Sequence, residues 1–423
     1  MNARITSSIP FAWAPRLATA AALTVALGAA GFAQAATLNV NISYKGGGQR
    51  AVWQSTVEEF KKANPDVDVK VAFIDAEAYK IQLPNWLTSQ APDVVSWNSG
   101  ERMAYYASRG LFEDLSGDWS KNQWDASYAS SKESSSYKGK QYGLPFVYYS
   151  WGMFYRIDLF KKVGITAEPT TWAELMDASA RLKAAGIAPF AVGARDAWTL
   201  AGWFDHLNLR LNGYAFHQQL MAGEIAYTDA RVKNVYTTWK SLLDKQYFID
   251  HALSYDLDGA QPFLLQGKAG MMLMGTFIAK GFPAAIAPNI GYFRFPTIDG
   301  KIVDAEEGPT ETLHIPTRAK NKADARRFLA FVGTPAISAK LAEGLGSLPA
   351  NSKSAAPTEP ISRIGFNILS ATKGGVAQFY DRDMNKEMAD EGMKGMQKFV
   401  NNPATLDDVL RQLEQVRQRV YKK

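Results

Sequence analysis

The chain has 423 residues, 47 Lys and Arg against 41 Asp and Glu, a formal net charge of +6 and no cysteine. The missing cysteine excludes a disulfide scaffold and a thiol nucleophile. A charge this small, with both signs interleaved, argues against nucleic acid or a membrane surface as partner. The length exceeds one ordinary core and predicts two domains.

Residues 1–35 read as a signal peptide: Arg4 and Arg16 in a basic start, an apolar run from Leu17 to Phe32, then Ala33-Gln34-Ala35 at a cleavage point near Ala35. Gly28 and Gly31 interrupt the run, which is short for a membrane anchor. With no cysteine to carry lipid, the expectation is an exported, periplasmic protein that is neither a lipoprotein nor stably inserted in a membrane. Leu38, Val40, Ile42 and Tyr44 alternate as a first strand, and Gly46-Gly47-Gly48 breaks it. Trp53, Val57 and Phe60 share a helical face ending at Pro65, and Val67, Val69, Val71 and Phe73 alternate as a second strand. A third strand at Val94-Val95 runs into Trp97, Asn98 and Ser99, with a helix from Glu101 to Gly110. This β-α-β-α-β order predicts a doubly wound parallel sheet.

Pro145 predicts an edge or an extended connection, where the chain changes lobe. Thr171 and Glu174 form a capping box for a helix that stops at Gly186. Met271–Met274 is a buried apolar run, and the stretches 290–295 and 307–315 carry the chain back. Ala325, Phe328, Leu329 and Val332 make a helical stripe, and Thr405 with Asp408 caps a final helix.

The four histidines (His206, His217, His251, His314) lack metal-ligand spacing, and neither a Gly-x-Ser-x-Gly elbow nor a phosphate loop occurs. No cofactor or metal is expected. Gly46-Gly47-Gly48 could cradle an anion or be a plain turn. Carboxylate pairs such as Asp381 with Asp383, Glu306 with Glu307, or Glu307 with Glu311 could serve a glycosidase, though adjacent acids are more often solvated or hydrogen-bonding surface. The positive signal is for a polyhydroxylated, partly apolar ligand. Hydroxyls want the fixed forks of acids and amides, and sugar C–H faces want flat aromatics. Trp97 with Asn98, Tyr148-Tyr149 with Trp151, Asp196 with Trp198 and Gly275-Thr276-Phe277 supply both at strand ends or crossings.

Segments across the chain carry a resemblance. They are Ala91-Pro92-Asp93-Val94-Val95 with Trp97, Lys140-Gln141-Tyr142-Gly143-Leu144-Pro145-Phe146, Phe154-Tyr155-Arg156-Ile157-Asp158-Leu159-Phe160, Thr171-Trp172-Ala173-Glu174-Leu175, Gly267-Lys268-Ala269, Gly275-Thr276-Phe277 and Leu313-His314-Ile315-Pro316. In this order the chain resembles the extracytoplasmic sugar-binding proteins of ABC importers, bacterial extracellular solute-binding proteins of family 1 related to maltose-binding protein.

The resemblance implies an α/β, two-lobed periplasmic-binding-protein fold of type II, each lobe a doubly wound, mostly parallel sheet, joined by a hinge of several crossings. Residues 36–146 with about 312–355 would form the N-terminal lobe, and 147–311 with about 356–423 the C-terminal lobe. It implies a monomeric receptor for a mono- or oligosaccharide, with the importer's permease subunits as partners. Ligand contacts carried over by position are Tyr44, Lys45, Gln49, Trp97, Asn98, Glu101, Tyr149, Asp196, Trp198, Thr276, Phe277, Thr310 and Glu311, with Asp381 and Arg382 from a further loop. Many relatives carry Trp where Phe277 stands. The alternatives are an exported glycoside hydrolase, or the same fold holding a polyamine, a phosphorylated polyol or a metal chelate.

Overall fold

The computed structural model describes residues 36–44 and 48–422. The expected signal peptide, Lys45 and Gly46-Gly47 lie outside the described residues. The sequence alternation in Ala36–Tyr44 and Val67–Asp75 becomes a parallel pair, with Leu38, Val40, Ile42, Val67 and Val69 buried. Val94–Asn98 adds parallel on the other side. The sheet then continues with Thr310–His314, Leu144–Tyr148 and the short Leu348–Pro349, each antiparallel to its neighbour. Helix Gly48–Ala63 covers this sheet with Trp53, Val57 and Phe60, and Phe60 meets Phe328 and Phe331 edge-on from helix Lys322–Val332.

A second sheet orders Ile290–Phe293, Trp151–Arg156, Ala269–Gly275 and Ala188–Phe190. All seven residues of Ala269–Gly275 are buried, as expected of a strand covered on both faces. Its core, built on Trp151, Trp203, Trp239, Phe154 and Phe399, is separate from the cores of the first sheet. The chain passes between the sheets three times, at residues 149–150, through Glu306–Glu307 into Thr310–His314, and after Pro349.

Two sheets wrapped by helices agree with the expected architecture, but the pairing is more mixed than mostly parallel. Only the first three strands and the Ala188–Phe190/Ala269–Gly275 pair run parallel within the two sheets. Strands that follow a crossing re-enter from the opposite end, which reverses their direction. Pro145 is inside the first sheet rather than at its edge. Leu348–Pro349 reaches only Tyr148 and Val147, and a register shift at Glu311/Thr312 relieves the other side. The capping box of Thr171 and Glu174 forms, and helix Trp172–Ala184 gives way to Gly186 at φ +75°. The final helix, Leu406–Val420, makes no side-chain cap, because the Thr405 hydroxyl donates to the Asn402 carbonyl instead.

Candidate functional site

The strand Val94–Asn98 ends where the two sheets approach one another. Side chains alternate across a strand, so Ser96 and Asn98 share one face and Trp97 takes the other. Trp97 lies in the core, not at the cleft: it is 6% exposed, stacked on Tyr79, edge-on to Tyr106, and its Nε1 donates to the Arg102 carbonyl. The sugar platform expected of Trp97 is therefore absent in this structure. Asn98, on the cleft face, donates from Nδ2 to Glu311 Oε2 at 3.1 Å.

Glu311 is the centre of the site. It sits on the returning strand opposite Asn98, and its Oε1 accepts from Tyr149 OH at 3.2 Å and from Arg382 Nη2 at 2.9 Å. Arg382 also donates to Tyr149 OH and to the Thr310 carbonyl, so one guanidinium gathers two crossings and the 380–383 helix. Burial alone would lower the Arg382 pKa, but Tyr149, Glu311 and Asp381 around it raise it, so it is a permanent cation. Burial, foremost, pushes the Tyr149 phenol up as well, keeping it a neutral hydroxyl. Asp381 turns toward Arg102, Oδ2 to Nη2 at 2.5 Å. Gly100 makes this approach possible: its φ is +69°, and a Cβ there would lie 2.3 Å from the Arg382 carbonyl oxygen.

Three cavities surround these groups. One of about 60 Å³ is lined by Ser43, Gln49, Ser96, Tyr149, Phe277 and Glu311. A second, about 30 Å³, is lined by Lys80, Asn98, Tyr149, Trp198, Asp381 and Arg382. A third, about 180 Å³, holds Asp196 and Trp198 with Asp75, Glu77, Asp256 and Asp258. Tyr149 is common to the first two and Trp198 to the last two, so they are stations along one cleft. Phe277 meets Tyr149 edge-on at 4.9 Å and closes one end.

Thr310 contributes its carbonyl, its side chain being buried. Thr276 does not reach the cleft: it is fully buried beneath Gly365 of helix Pro360–Ala371, its hydroxyl unpartnered among the described residues. Glu101 also stands apart, in a groove of about 550 Å³ with Tyr105, Arg109, Lys386, Asp390 and Lys394. That larger groove is walled by long charged side chains that are costly to order, whereas the cleft offers buried, already fixed groups. Tyr44 ends the first strand with its backbone opposite Asp75. Ser43, Ser96 and Lys80 line the cleft without having been singled out. Ser43 and Ser96 could have been found by continuing the strand alternation one step toward each strand's end.

The family model described as bacterial extracellular solute-binding protein matches residues 46–339. The chain belongs to this family. It is 24% identical over 347 residues to an uncharacterised ABC transporter extracellular-binding protein of Pyrococcus horikoshii, covering 77% of this chain and 75% of that one. A probable sugar-binding periplasmic protein of Mesorhizobium japonicum is 26% identical over 243 residues, 56% of this chain and 57% of that one. Among solved structures, a bacterial solute receptor described as having an exclusive preference for β-D-galactopyranose superimposes with a TM-score of 0.86 at 26% identity, covering 92% of this chain and all of that one (100%). These solute-binding proteins share the two-lobed architecture.

In this solute-binding protein the carboxylate pairs do not present two acids to the cleft. Glu306 and Glu307 are fully buried, Glu306 held by Arg210 and Arg294. Asp383 is also held inside, accepting from the Gln378 N–H. Among the described residues Glu307 has no hydrogen-bond donor on either oxygen, and His206 Nδ1, 3.7 Å away, is committed to the Gly202 carbonyl. Burial first, and then the Asp205 charge, hold Glu307 well above the usual carboxylate range, and burial raises Asp205 likewise. Burial also pushes Asp383 up to about 6. Each of these raised carboxyls contributes stability that is full below the ordinary carboxyl pKa of about 4 and is lost as pH rises through its folded value. Burial lowers His206, His217 and His314, whose opposite contribution ends near pH 6.5, so above that pH the carboxyls make stability fall as pH rises. Asp205→Asn keeps an acceptor for the Tyr380 N–H, 2.7 Å from Asp205 Oδ2, and adds a donor for Glu307. It is expected to stabilise the fold by about 1–3 kcal/mol near pH 8 and to flatten the decline. Urea titrations at several pH values check this; a destabilised variant with the same slope would show that the Asp205 charge does not raise Glu307.

Proposed function

We propose that this chain is a periplasmic sugar receptor that closes two lobes on a small sugar and delivers it to the permease of an ABC-type importer. The observation that carries the reading is the Glu311 cluster. A carboxylate already oriented by Asn98, Tyr149 and Arg382 shares a cavity with the ring of Phe277, and those three partners line the next cavity with Trp198. Such preplaced acceptors suit hydroxyls, and a sugar lacking one would leave buried groups unpaired at about 1–3 kcal/mol each. The galactopyranose preference described for the 26%-identical receptor, together with cavities of about 60, 30 and 180 Å³, favours a monosaccharide over a long oligosaccharide. The buried state of Glu306 and Glu307 argues against glycoside hydrolysis, so the role is binding without turnover.

In this reading 36–146 with about 312–355 make one lobe and 147–311 with about 356–423 the other, the bounds falling inside the first-sheet strands Leu144–Tyr148 and Thr310–His314, and the crossings act as hinge. Export by cleavage near Ala35, a soluble rather than lipid-anchored mature protein, and a monomeric state belong to the same reading. D-Galactose, D-glucose, D-mannose and short oligosaccharides are to be titrated by thermal shift and tryptophan emission. A cognate monosaccharide should raise Tm, because it binds only the folded state, by an amount that grows with ligand concentration. A flat response across the panel, or reducing sugar released from oligosaccharides, would overturn the proposal.

A further inference from the structure

The charges along the cleft narrow the sugar class. Among the described residues, every cation lining the three cavities is already engaged by a carboxylate. Lys80 pairs with Glu77 at 2.7 Å, Arg382 with Glu311 at 2.9 Å, and Arg195 with Asp256. Arg102, just behind, is held by Asp381. The mouth, by contrast, is rich in acids. Asp75, Glu77, Asp196, Asp256 and Asp258 converge there from three separate segments, around the edge of Trp198. Burial and the neighbouring acids raise Asp196 and Asp258, as crowding of like charges requires.

We infer that the cleft selects its sugar by charge, taking uncharged or amino-substituted monosaccharides and rejecting those that carry a carboxylate or a phosphate. The inference rests on the sugar-receptor reading and specifies its ligand. An anionic sugar would be desolvated against the mouth acids and would have to compete with a carboxylate for each cation, in a buried pair at Arg382 and in partly exposed pairs at Lys80 and Arg195. A hydroxyl meets no such penalty. An ammonium in place of a hydroxyl gains attraction to Asp196 and its neighbours, at the cost of its own hydration.

Matched sets separate this inference from its parent: D-galactose, D-galactosamine, D-galacturonate and D-galactose 1-phosphate, with the gluco and manno series alongside. Isothermal titration of the full mature protein is carried out at low and high salt. Within the set that binds, the amino sugar should stay within about tenfold of the neutral one, and the uronate and phosphate should bind at least about tenfold more weakly. Salt should narrow that gap, because the mouth acids are partly solvated. The double variant Glu77→Gln/Asp258→Asn should shrink the gap several-fold, the affinities of neutral and acidic sugar being compared within the same variant. A uronate or phosphate that binds as well as the neutral sugar overturns the charge selection and leaves the sugar receptor standing. A gap that ignores both salt and the double variant also overturns it. Silence from every neutral, amino and acidic member refutes both readings together.

Discussion

Trp97→Ala is expected to destabilise the protein by about 3–5 kcal/mol, the range for removing a buried large aromatic. Trp97 is 6% exposed between Tyr79 and Tyr106, so an alanine leaves a cavity that helices Ala76–Thr88 and Glu101–Ala107 can only partly fill. It also strips the Arg102 carbonyl of its donor, 3.2 Å away. The second readout is sugar affinity in the fraction that remains folded. Because Trp97 presents its side chain away from Asn98 and Glu311, that affinity should fall by no more than several-fold. Urea denaturation followed by far-ultraviolet circular dichroism, beside a sugar titration, distinguishes the roles. Wild-type stability with lost binding would place the indole against the ligand and contradict the packing described above.

The same residue shows what a sequence makes legible. The apolar alternation of Ala36–Tyr44 and Val67–Asp75, the Thr171–Glu174 box and the stop at Gly186 are local, set by period and by backbone chemistry within a few residues. All of them appear in the structure. Which face of a strand meets the cleft is not local, because it depends on the register with partners hundreds of residues away. Even so, strand geometry forbids the adjacent Trp97 and Asn98 from both facing it, and the run of buried residues at Val94–Trp97 already favours the tryptophan as core. Glu311, Tyr149, Asp196, Trp198, Phe277 and Gln49 line the cavities of the cleft, whereas Thr276 is buried against Gly365 of helix Pro360–Ala371, a long-range contact that no local pattern announces. Apart from Asp196, the acidic mouth escapes sequence reasoning. Its members, at 75–77, 196 and 256–258, are ordinary cap or surface acids in their own segments, Asp75 and Asp256 being helix N-caps. They become one field only when the two sheets face each other.

Arg382 carries the other large effect, and its substitution tests the site rather than the core. Its side chain is 5% exposed and its guanidinium spans Glu311, Tyr149 and the Thr310 carbonyl. Removing one partner of a buried pair costs about 3–5 kcal/mol. Glu311 keeps 22% of its side chain exposed, so water relieves part of that, and Arg382→Met should cost about 2–4 kcal/mol. Neutral-sugar binding should weaken by at least about tenfold, because Glu311 and Tyr149 lose the group that aims them. Arg382→Lys retains the charge but not the planar fork, and an ammonium cannot reach the Thr310 carbonyl and the Glu311 carboxylate in the same geometry. It should fall between wild type and Arg382→Met. The decisive comparison adds Glu311→Gln. If the loss in Arg382→Met comes from an orphaned carboxylate, neutralising that carboxylate recovers part of the stability in the double variant, a coupling that a double-mutant cycle measures. Sugar binding should not recover, since the acceptor itself has been weakened. Arg382→Met with stability within about 0.5 kcal/mol of wild type, or a double variant whose losses simply add, would show that the guanidinium fills space and does not hold the cleft in its binding geometry.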